Sequence, residues 1–346
     1  MSVFIGKDVF MRFVHTADNH LDAPVSSLPP AKAAMRRHMR LQSFSKIIDY
    51  TIQNADMLLI SGDLFHTPNP PKSVFSFCIK EFERLGDIPV FIVLGNHDYL
   101  NPNLNFPGNV HVFGSEFETA SYKNCLITGV SFTSPSASFA NRIPSAKNDC
   151  ESILLLHGDI FTQSDYNSMN KDTLASLGYT YVALGHIHEF YKYKAIAYPG
   201  CHDGSGFDEA GEKGFIYGTI SEGKLSTEFI SSSSLLYRKE SFDVSDFSSS
   251  MAVADAIMEK FPDGIYKFSL TGVPSELFTP NIEAIESYIS HKFFHATVTD
   301  ETGISANLSD SMLYKLFCEY VNENAKGDIA LLSRRYGTNA MKGDEM

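Results

Sequence analysis

Five short motifs in this 346-residue chain place histidine, aspartate or asparagine directly after an apolar run. In residues 88–98, a β-branched run stops at Gly95 and delivers Asn96, His97 and Asp98. The other four motifs are Asp18-Asn19-His20, Gly62-Asp63, His157-Gly158-Asp159 and Gly185-His186-Ile187-His188. Such runs are typical of strands buried on both faces, and ligands in open α/β sheets gather where strands end. Imidazole, carboxylate and amide groups together indicate a metal site.

The elements that must position these motifs follow an alternating order. Strands are predicted at 11–16, 56–61, 88–94, 109–113, 124–132, 152–156, 179–184, 195–198, 214–220 and 225–230. Helices are predicted at 33–54, 73–85 and 171–177, and residues 134–150 are predicted to form a surface loop. Strands that alternate with helices and then follow one another indicate an α/β fold with two packed sheets flanked by helices.

The serine-rich residues 231–234 mark a predicted domain boundary. We expect a site-bearing domain over 1–235, a small α+β domain over 236–305 and a helical tail over 306–346. An apolar stripe lies on the predicted terminal helix and consists of Met312, Leu313, Leu316, Phe317, Tyr320 and Val321. This stripe either packs on its own domain or fills a groove on a partner.

Composition narrows the class of protein. Hydrophobic residues make up 43% and charged residues 20%, which is ordinary for a globular chain. No apolar stretch is long enough to cross a bilayer and the first residues lack a secretion signal, so we expect a cytoplasmic protein without a membrane anchor. The five scattered cysteines contain no C-x-x-C pair and are expected to be reduced thiols.

The net charge of −13 bears on the substrate, because proteins that hold nucleic acid unaided usually carry a basic face. Three explanations of the acidic charge stay open. The substrate is small, a partner protein supplies much of the affinity for nucleic acid, or the acidic residues lie away from a local basic surface. Arg36, Arg37 and Arg40 lie close to the first motif, and a solvated helix face is favoured over phosphate contact for them. The segment 206–213 is similar to a phosphate-binding loop, but Glu212 stands where that motif needs lysine and a strand follows, which excludes it.

The order Asp-x-His, Gly-Asp, Gly-Asn-His-Asp, His-Gly, Gly-His-x-His resembles the calcineurin-like metallophosphoesterases over residues 11–235. The resemblance implies two divalent metal ions and seven ligands. One ion would be held by Asp18, His20 and His188, the other by Asn96, His157 and His186, and Asp63 would bridge them. The mixed oxygen and imidazole set favours manganese, with iron or zinc as alternatives. Two ions about 3.5 to 4 Å apart can acidify a water molecule, which then attacks phosphorus.

The same resemblance implies a catalytic role for His97, which would stabilise charge and protonate the leaving oxygen, with Asp98 as its orienting partner. The alternative is a purely structural histidine. Within the family the chain resembles the SbcD and YhaO type of DNA repair nucleases at residues 15–22, 61–66, 198–200 and 211–215. This subgroup implies that His66 presents the nucleic-acid strand for exonuclease cutting. The alternative for His66 is a structural role in which it only hydrogen-bonds its loop.

The resemblance therefore implies a metal-dependent phosphodiesterase that acts on DNA as an exonuclease or endonuclease in double-strand break repair. It implies an SbcC-type coiled-coil ATPase as partner, a capping role for the domain after residue 235, and homodimer formation. A small-molecule or cyclic-nucleotide phosphodiesterase or phosphatase of the same fold is the alternative. A scaffold that has lost hydrolysis is disfavoured, because all seven ligand positions and His97 are present.

Overall fold

The computed structural model describes residues 10–147, 150–233, 235–274, 278–303, 312–326, 329 and 333. The chain divides into two compact units, Met1–Leu236 and Tyr237–Met346. The assignment of nuclease, capping and tail roles to the three predicted segments stays a prediction. Among the described residues, no helix is both long and apolar enough to span a membrane.

The first unit contains two six-stranded mixed sheets. Sheet 1 runs in the order β12 (Lys224–Ser231), β11 (Gly214–Ser221), β1 (Met11–Thr16), β2 (Met57–Ser61), β3 (Val90–Val93) and β4 (Val110–Val112). Sheet 2 runs in the order β5 (Glu118–Tyr122), β6 (Cys125–Gly129), β7 (Glu151–His157), β8 (Tyr181–Gly185), β10 (Ile196–Tyr198) and β9 (Tyr191–Tyr193). The predicted two-sheet α/β sandwich flanked by helices is confirmed.

Alternating side chains of the central strands build two cores, because successive residues of a strand point to opposite faces. On β1, Phe13 joins a cluster with Leu59 and Leu155 that draws on strands of both sheets. The next residue, Val14, joins a second cluster with Phe44 and other apolar residues of the flanking helices. The central strands are therefore buried on both faces, as their continuous apolar runs predict.

Three helices accompany the sheets of the first unit: α1 (Pro30–Asn54), α2 (Lys72–Arg84) and α3 (Lys171–Ala175). Helix α1 begins three residues before the predicted start, because Pro30 fits the first turn, where the missing N–H has no partner to lose. Two short 3-10 helices lie at Ala140–Arg142 and Phe207–Glu209. The second of these is followed by β11, as expected from the exclusion of a phosphate-binding loop at residues 206–213.

The second unit has a three-stranded parallel sheet in the order β13 (Tyr237–Asp243), β14 (Ile265–Thr271) and β15 (His295–Asp300). Its helices are α4 (Ser250–Lys260), α5 (Ile282–Ile289) and α6 (Met312–Asn324). The core of this unit is apolar and aromatic, with Phe268, Leu270 and Ile257 fully buried. The side chains of Met312 and Leu313, part of the predicted stripe, lie outside the described residues.

Candidate metal centre

Parallel pairing brings the predicted motifs to the same edge of the two sheets. Strand β2 pairs in parallel with β1 and β3, and β7 pairs in parallel with β8, so their carboxyl ends lie side by side. Two glycines permit the close approach of these ends. A Cβ atom on Gly185 would lie 1.9 Å from the carbonyl oxygen of Ser61, and one on Gly95 would lie 2.3 Å from Oδ1 of Asp63.

A first group of donor atoms consists of Asp18, His20 and His188, whose ligand atoms all lie within 4.8 Å of one another. The Nε2 atoms of His20 and His188 are 3.3 Å apart. Asp18 is almost completely buried. Two imidazole nitrogens and a carboxylate that face one point are suited to a divalent transition metal ion.

A second group consists of Asp18, Asp63 and His157, again with ligand atoms within 4.8 Å of one another. Nε2 of His157 lies 2.9 Å from Oδ1 of Asn96. Oδ2 of Asp63 lies 3.4 Å from this same nitrogen and 3.7 Å from Nε2 of His20. The Asp63 carboxylate of the second group thus also lies close to His20 of the first, where a bridging ligand would be needed.

His186 completes the gathering of the seven predicted ligands. Its ring centroid lies 5.3 Å from that of His157. Its backbone N–H donates to both oxygens of Asp18, at 2.9 and 3.0 Å. All seven positions therefore come together around Asp18 and Asp63, and the donor set fits two divalent cations.

The electrostatics of the polypeptide alone also favour bound cations. Burial is the largest cause that raises the pKa of the Asp18 carboxyl, and burial lowers the pKa of His20 well below its usual value. Burial lowers the pKa of His186 to about 4. A neutral imidazole has a ring nitrogen that can bind a metal ion. A cation beside Asp18 would counter the free-energy cost of its buried charge.

Backbone strain is concentrated at the same residues. Asp18, His20 and Asp63 have φ values of 49°, 41° and 52°, and His186 has a φ of 108°. Residues other than glycine rarely occupy positive φ, and such strain persists where the surrounding structure fixes it. The ligand loops are therefore held in an unusual backbone shape by their neighbours.

His66 and His97 lie beside the first group and are partly exposed. Their rings stack with centroids 4.8 Å apart, and each packs edge-on against the ring of His20. The backbone N–H of His97 donates to Oδ1 of Asp63 at 3.0 Å. Nδ1 of His97 lies 3.2 Å from the carbonyl oxygen of His66. These two imidazoles form a half-buried rim of the site.

The expected pairing of Asp98 with His97 is wrong in this structure. Asp98 is fully buried and accepts hydrogen bonds from the backbone N–H groups of Gly95, Asp63 and Phe65, at 2.8, 3.2 and 3.1 Å. Burial and the charge of Asp63 raise its pKa. Asp98 ties together the loops after β2 and β3, while the carbonyl oxygen of His66 is the group that faces the His97 ring.

The expected solvated face of helix α1 is also wrong for two of its three arginines. Arg36 and Arg40 are buried, and only Arg37 is exposed. The guanidinium of Arg36 forms an ion pair with Asp203 in which both side chains are fully buried. Sequence spacing could not reveal this pair, because its partner lies 167 residues further along the chain.

Two functional candidates were missed by sequence reasoning. Glu209 forms a short hydrogen bond with Nδ1 of His188. Burial lowers the pKa of His188, but this bond and the charge of Asp18 outweigh it and raise the pKa to about 9. Tyr166, 40% exposed, has its ring 5.1 Å from that of His186. The only sequence signal for Glu209 was its place in the segment 206–213, which was considered for phosphate binding alone.

Comparison with known proteins relates the chain to one family of phosphoesterases. Residues 11–190 match the family described as calcineurin-like phosphoesterase. The uncharacterized metallophosphoesterase YhaO of Bacillus subtilis (strain 168) is 29% identical over 276 residues, which cover 72% of this chain and 67% of that protein.

Two further relatives are named DNA double-strand break repair protein Mre11. The Methanococcus maripaludis protein is 28% identical over 213 residues, or 52% of each chain. The Saccharolobus solfataricus protein is 28% identical over 205 residues, or 51% of this chain and 49% of that protein. The chain spans about half the length of these two relatives. Because the family match takes in more than half of the chain and includes the five motifs, the chain belongs to the calcineurin-like phosphoesterase family.

Proposed function

We propose that this protein is a metal-dependent phosphodiesterase that hydrolyses DNA, as an exonuclease or endonuclease in double-strand break repair. The observation that carries the proposal is the pair of ligand groups that share Asp18, with Oδ2 of Asp63 from the second group only 3.7 Å from Nε2 of His20 in the first. Asp18, His20 and His188 would hold one ion, Asn96, His157 and His186 the other, and Asp63 both. Manganese is the first choice, with iron or zinc as alternatives.

Two bound divalent cations would supply acidification of a water molecule and neutralisation of charge on the phosphoryl oxygens. The chain itself supplies orientation and a proton. Since the carbonyl oxygen of His66 only accepts hydrogen bonds, Nδ1 of His97 carries a proton that points toward it. Nε2 is then the atom of His97 that, when protonated, donates to the leaving oxygen. The hydrogen bond from the backbone N–H of His97 to Asp63 keeps the His97 imidazole next to the ligands.

Several features support a nucleic-acid substrate over a small phosphate ester. His66 lies at the rim beside His97, where it would guide the strand to the ligands. The exposed face of Tyr166 next to His186 offers a surface on which a base can stack. The relatives named for DNA double-strand break repair point the same way. The backbone N–H of His66 donates to Oδ1 of Asp22 at 2.5 Å, and this bond does not involve the imidazole that would take this role.

An SbcC-type coiled-coil ATPase is the proposed partner, because the chain has a net charge of −13 and needs another source of affinity for DNA. Helix α6 is the proposed docking element. On it Leu316 is 52% exposed and Tyr320 is 67% exposed, whereas Val321 is buried. We expect DNA affinity to be much greater for the complex than for this chain alone. Equal affinity with and without the ATPase would reject this part of the proposal, and light scattering would test the proposed homodimer.

The decisive experiment is a nuclease assay on end-labelled duplex and single-stranded DNA with manganese. We expect His66→Ala to lose end-dependent cutting selectively, while an aryl phosphodiester is still hydrolysed. His38→Ala, at an exposed position on α1, is the matched control.

A cyclic nucleotide and the aryl phosphodiester are measured beside DNA. Rapid turnover of the cyclic nucleotide with no cutting of DNA, even with the ATPase, would favour the small-molecule alternative. Failure to hydrolyse any of these phosphodiesters with manganese, iron or zinc would contradict the proposed chemistry.

A further inference from the structure

The two ring nitrogens of His188 face different groups. Nε2 lies 3.3 Å from Nε2 of His20, on the side of the first ligand group. Nδ1 forms a short hydrogen bond with Oε1 of Glu209, whose side chain is largely buried. A carboxylate only accepts, so Nδ1 carries the proton of this bond. Nε2 is then the nitrogen available to a cation.

Glu209 is itself held in place through its second oxygen. Oε2 accepts the backbone N–H of Ser205 at 2.6 Å. The hydroxyl of Ser205 accepts from Nη2 of Arg40 at 2.9 Å, and Nη1 of Arg40 donates to the carbonyl oxygen of His20 at 3.2 Å. The buried Arg40 guanidinium thus connects the carboxylate behind His188 to the backbone of the other histidine in the same group.

Two other imidazole ligands, His157 and His20, have different partners at Nδ1. Nδ1 of His157 lies 3.0 Å from the carbonyl oxygen of Ser61. Nδ1 of His20 lies 3.4 Å from Nδ1 of His66. Among these three ligands in the described structure, only His188 forms a hydrogen bond to a carboxylate through Nδ1, whereas Nδ1 of His157 lies 4.0 Å from Oδ1 of Asp18. A change at Glu209 should therefore act on one group of ligands and spare the other.

We propose that Glu209 is a positioning residue that fixes the ring orientation and tautomer of His188 for the cation held by Asp18, His20 and His188. The inference rests on the metal centre of the proposed function. Carboxylates that accept from a metal-binding histidine typically strengthen metal binding by about 10-fold to 100-fold. Glu209 does not touch the substrate in this role, and its effect passes entirely through His188.

The test is manganese binding to the full chain, measured by calorimetry and by electron paramagnetic resonance of the free ion. In Glu209→Gln, the amide must direct its NH2 group toward either His188 Nδ1 or the N–H of Ser205, both of which are donors. We expect one of two manganese ions to bind about 10-fold to 100-fold more weakly and the other to bind unchanged. Glu212→Gln, at an exposed position of the same loop, should bind both ions as the unaltered protein does.

If Glu209→Gln binds both manganese ions as tightly as the unaltered protein does, the inference is overturned. Weakened binding of both ions, or a much lower melting temperature of the metal-free variant, would also overturn it, because either result indicates a general structural role. In a His188→Ala background, Glu209→Gln should cause no further loss, and an additional loss would count against it. If the unaltered protein takes up no manganese, iron or zinc, the proposed function fails first, and this inference fails with it.

Discussion

Between residues 15 and 232 the first unit buries aspartates, histidines and arginines, whereas the described part of the second unit buries apolar and aromatic side chains. Burial of charged groups costs free energy unless each is paired, so their presence in the first unit calls for a reason. Asp18, Asp63 and His157 gather at the proposed metal centre, and Arg36 and Arg40 support the loops around it. The difference indicates that the first unit gives up stability for a site, while the second is built for packing.

The sharpest test of this contrast is Asp63→Ala, in which activity and stability should move separately. We expect hydrolysis to fall by about four orders of magnitude, because both cations lose a shared ligand. The free energy of unfolding of the metal-free protein should change little, because the lost bond from the backbone N–H of His97 is offset by relief of repulsion: after burial, the Asp63 charge also raises the pKa of Asp18 and Asp98. Hydrolysis rates and urea denaturation measure the two effects. Asp87→Ala, at an exposed position, is the control, and a fully active Asp63→Ala would refute the site.

Arg36→Ala tests the cost of a buried charge in the first unit. It leaves the fully buried Asp203 without its ion-pair partner, and we expect a loss of about 3–5 kcal/mol in the free energy of unfolding. The double variant Arg36→Met with Asp203→Leu should recover most of this loss, because no unpaired charge remains. Arg37→Ala on the exposed face is the matched control. A double variant as unstable as the single one would show that the arginine is needed for packing and not for charge.

Phe268→Ala is the counterpart in the second unit. Phe268 is fully buried and its ring packs against those of Tyr266, Phe261 and Phe293, with centroids 4.8, 5.2 and 5.7 Å away. Loss of the ring should cost about 3–5 kcal/mol through lost contacts and a cavity. No second substitution of a single partner should recover it, in contrast to the Arg36 case. Chemical denaturation measures the loss, and a nearly neutral Phe268→Ala would break the comparison.

His97→Ala tests the role of an imidazole at the rim of the site, as distinct from the role of the proposed ligands. We expect kcat on DNA to fall about a hundredfold to a thousandfold, as for loss of a general acid. An aryl phosphodiester with a nitrophenolate leaving group needs no proton and should be affected much less. An equal loss on both substrates would contradict the acid role and would favour a structural part for His97.

The smallest expected effect near neutral pH is the dependence of stability on pH that His15 contributes. Burial lowers the pKa of His15 to about 3, and the ring is held by Tyr181 and by Ser61. Because the unfolded chain binds this proton more readily, the stability contributed by neutral His15 is complete above about pH 6.5 and falls as the pH drops toward 3. In His15→Gln, the free energy of unfolding should depend less steeply on pH across this range, by at most about 1.4 kcal/mol per pH unit. His38→Gln should leave the slope unchanged, and a steep slope in His15→Gln would disprove this assignment.

Much of the first unit could be predicted because its signals are local. Strand β1 has the predicted bounds Met11–Thr16, and the apolar runs before the motifs all form buried strands. Strands β5 and β9 were not predicted, since both lie at sheet edges and lack a continuous apolar run. Edge strands are exposed on one side, so composition alone does not separate them from polar turns.

The contacts that support the site could not be predicted, because they join residues far apart in sequence. The Arg36 pair with Asp203 and the Glu209 bond to His188 depend on how loops meet in space. The family resemblance suggested that Asp98 pairs with the His97 ring. The structure uses that carboxylate to accept three backbone N–H groups instead, which no residue pattern in the motif distinguishes.

The left-handed backbone at Asp18, His20, Asp63 and His186 has a consequence for protein engineering. Grafting the seven donor side chains onto another scaffold would not reproduce this centre unless the recipient loops adopted the same turns. β-Branched replacements such as valine or threonine at these four positions would be penalised for their shape as well as for their lost donor atoms. Libraries that vary the proposed metal centre should therefore favour asparagine, aspartate, histidine and glycine there.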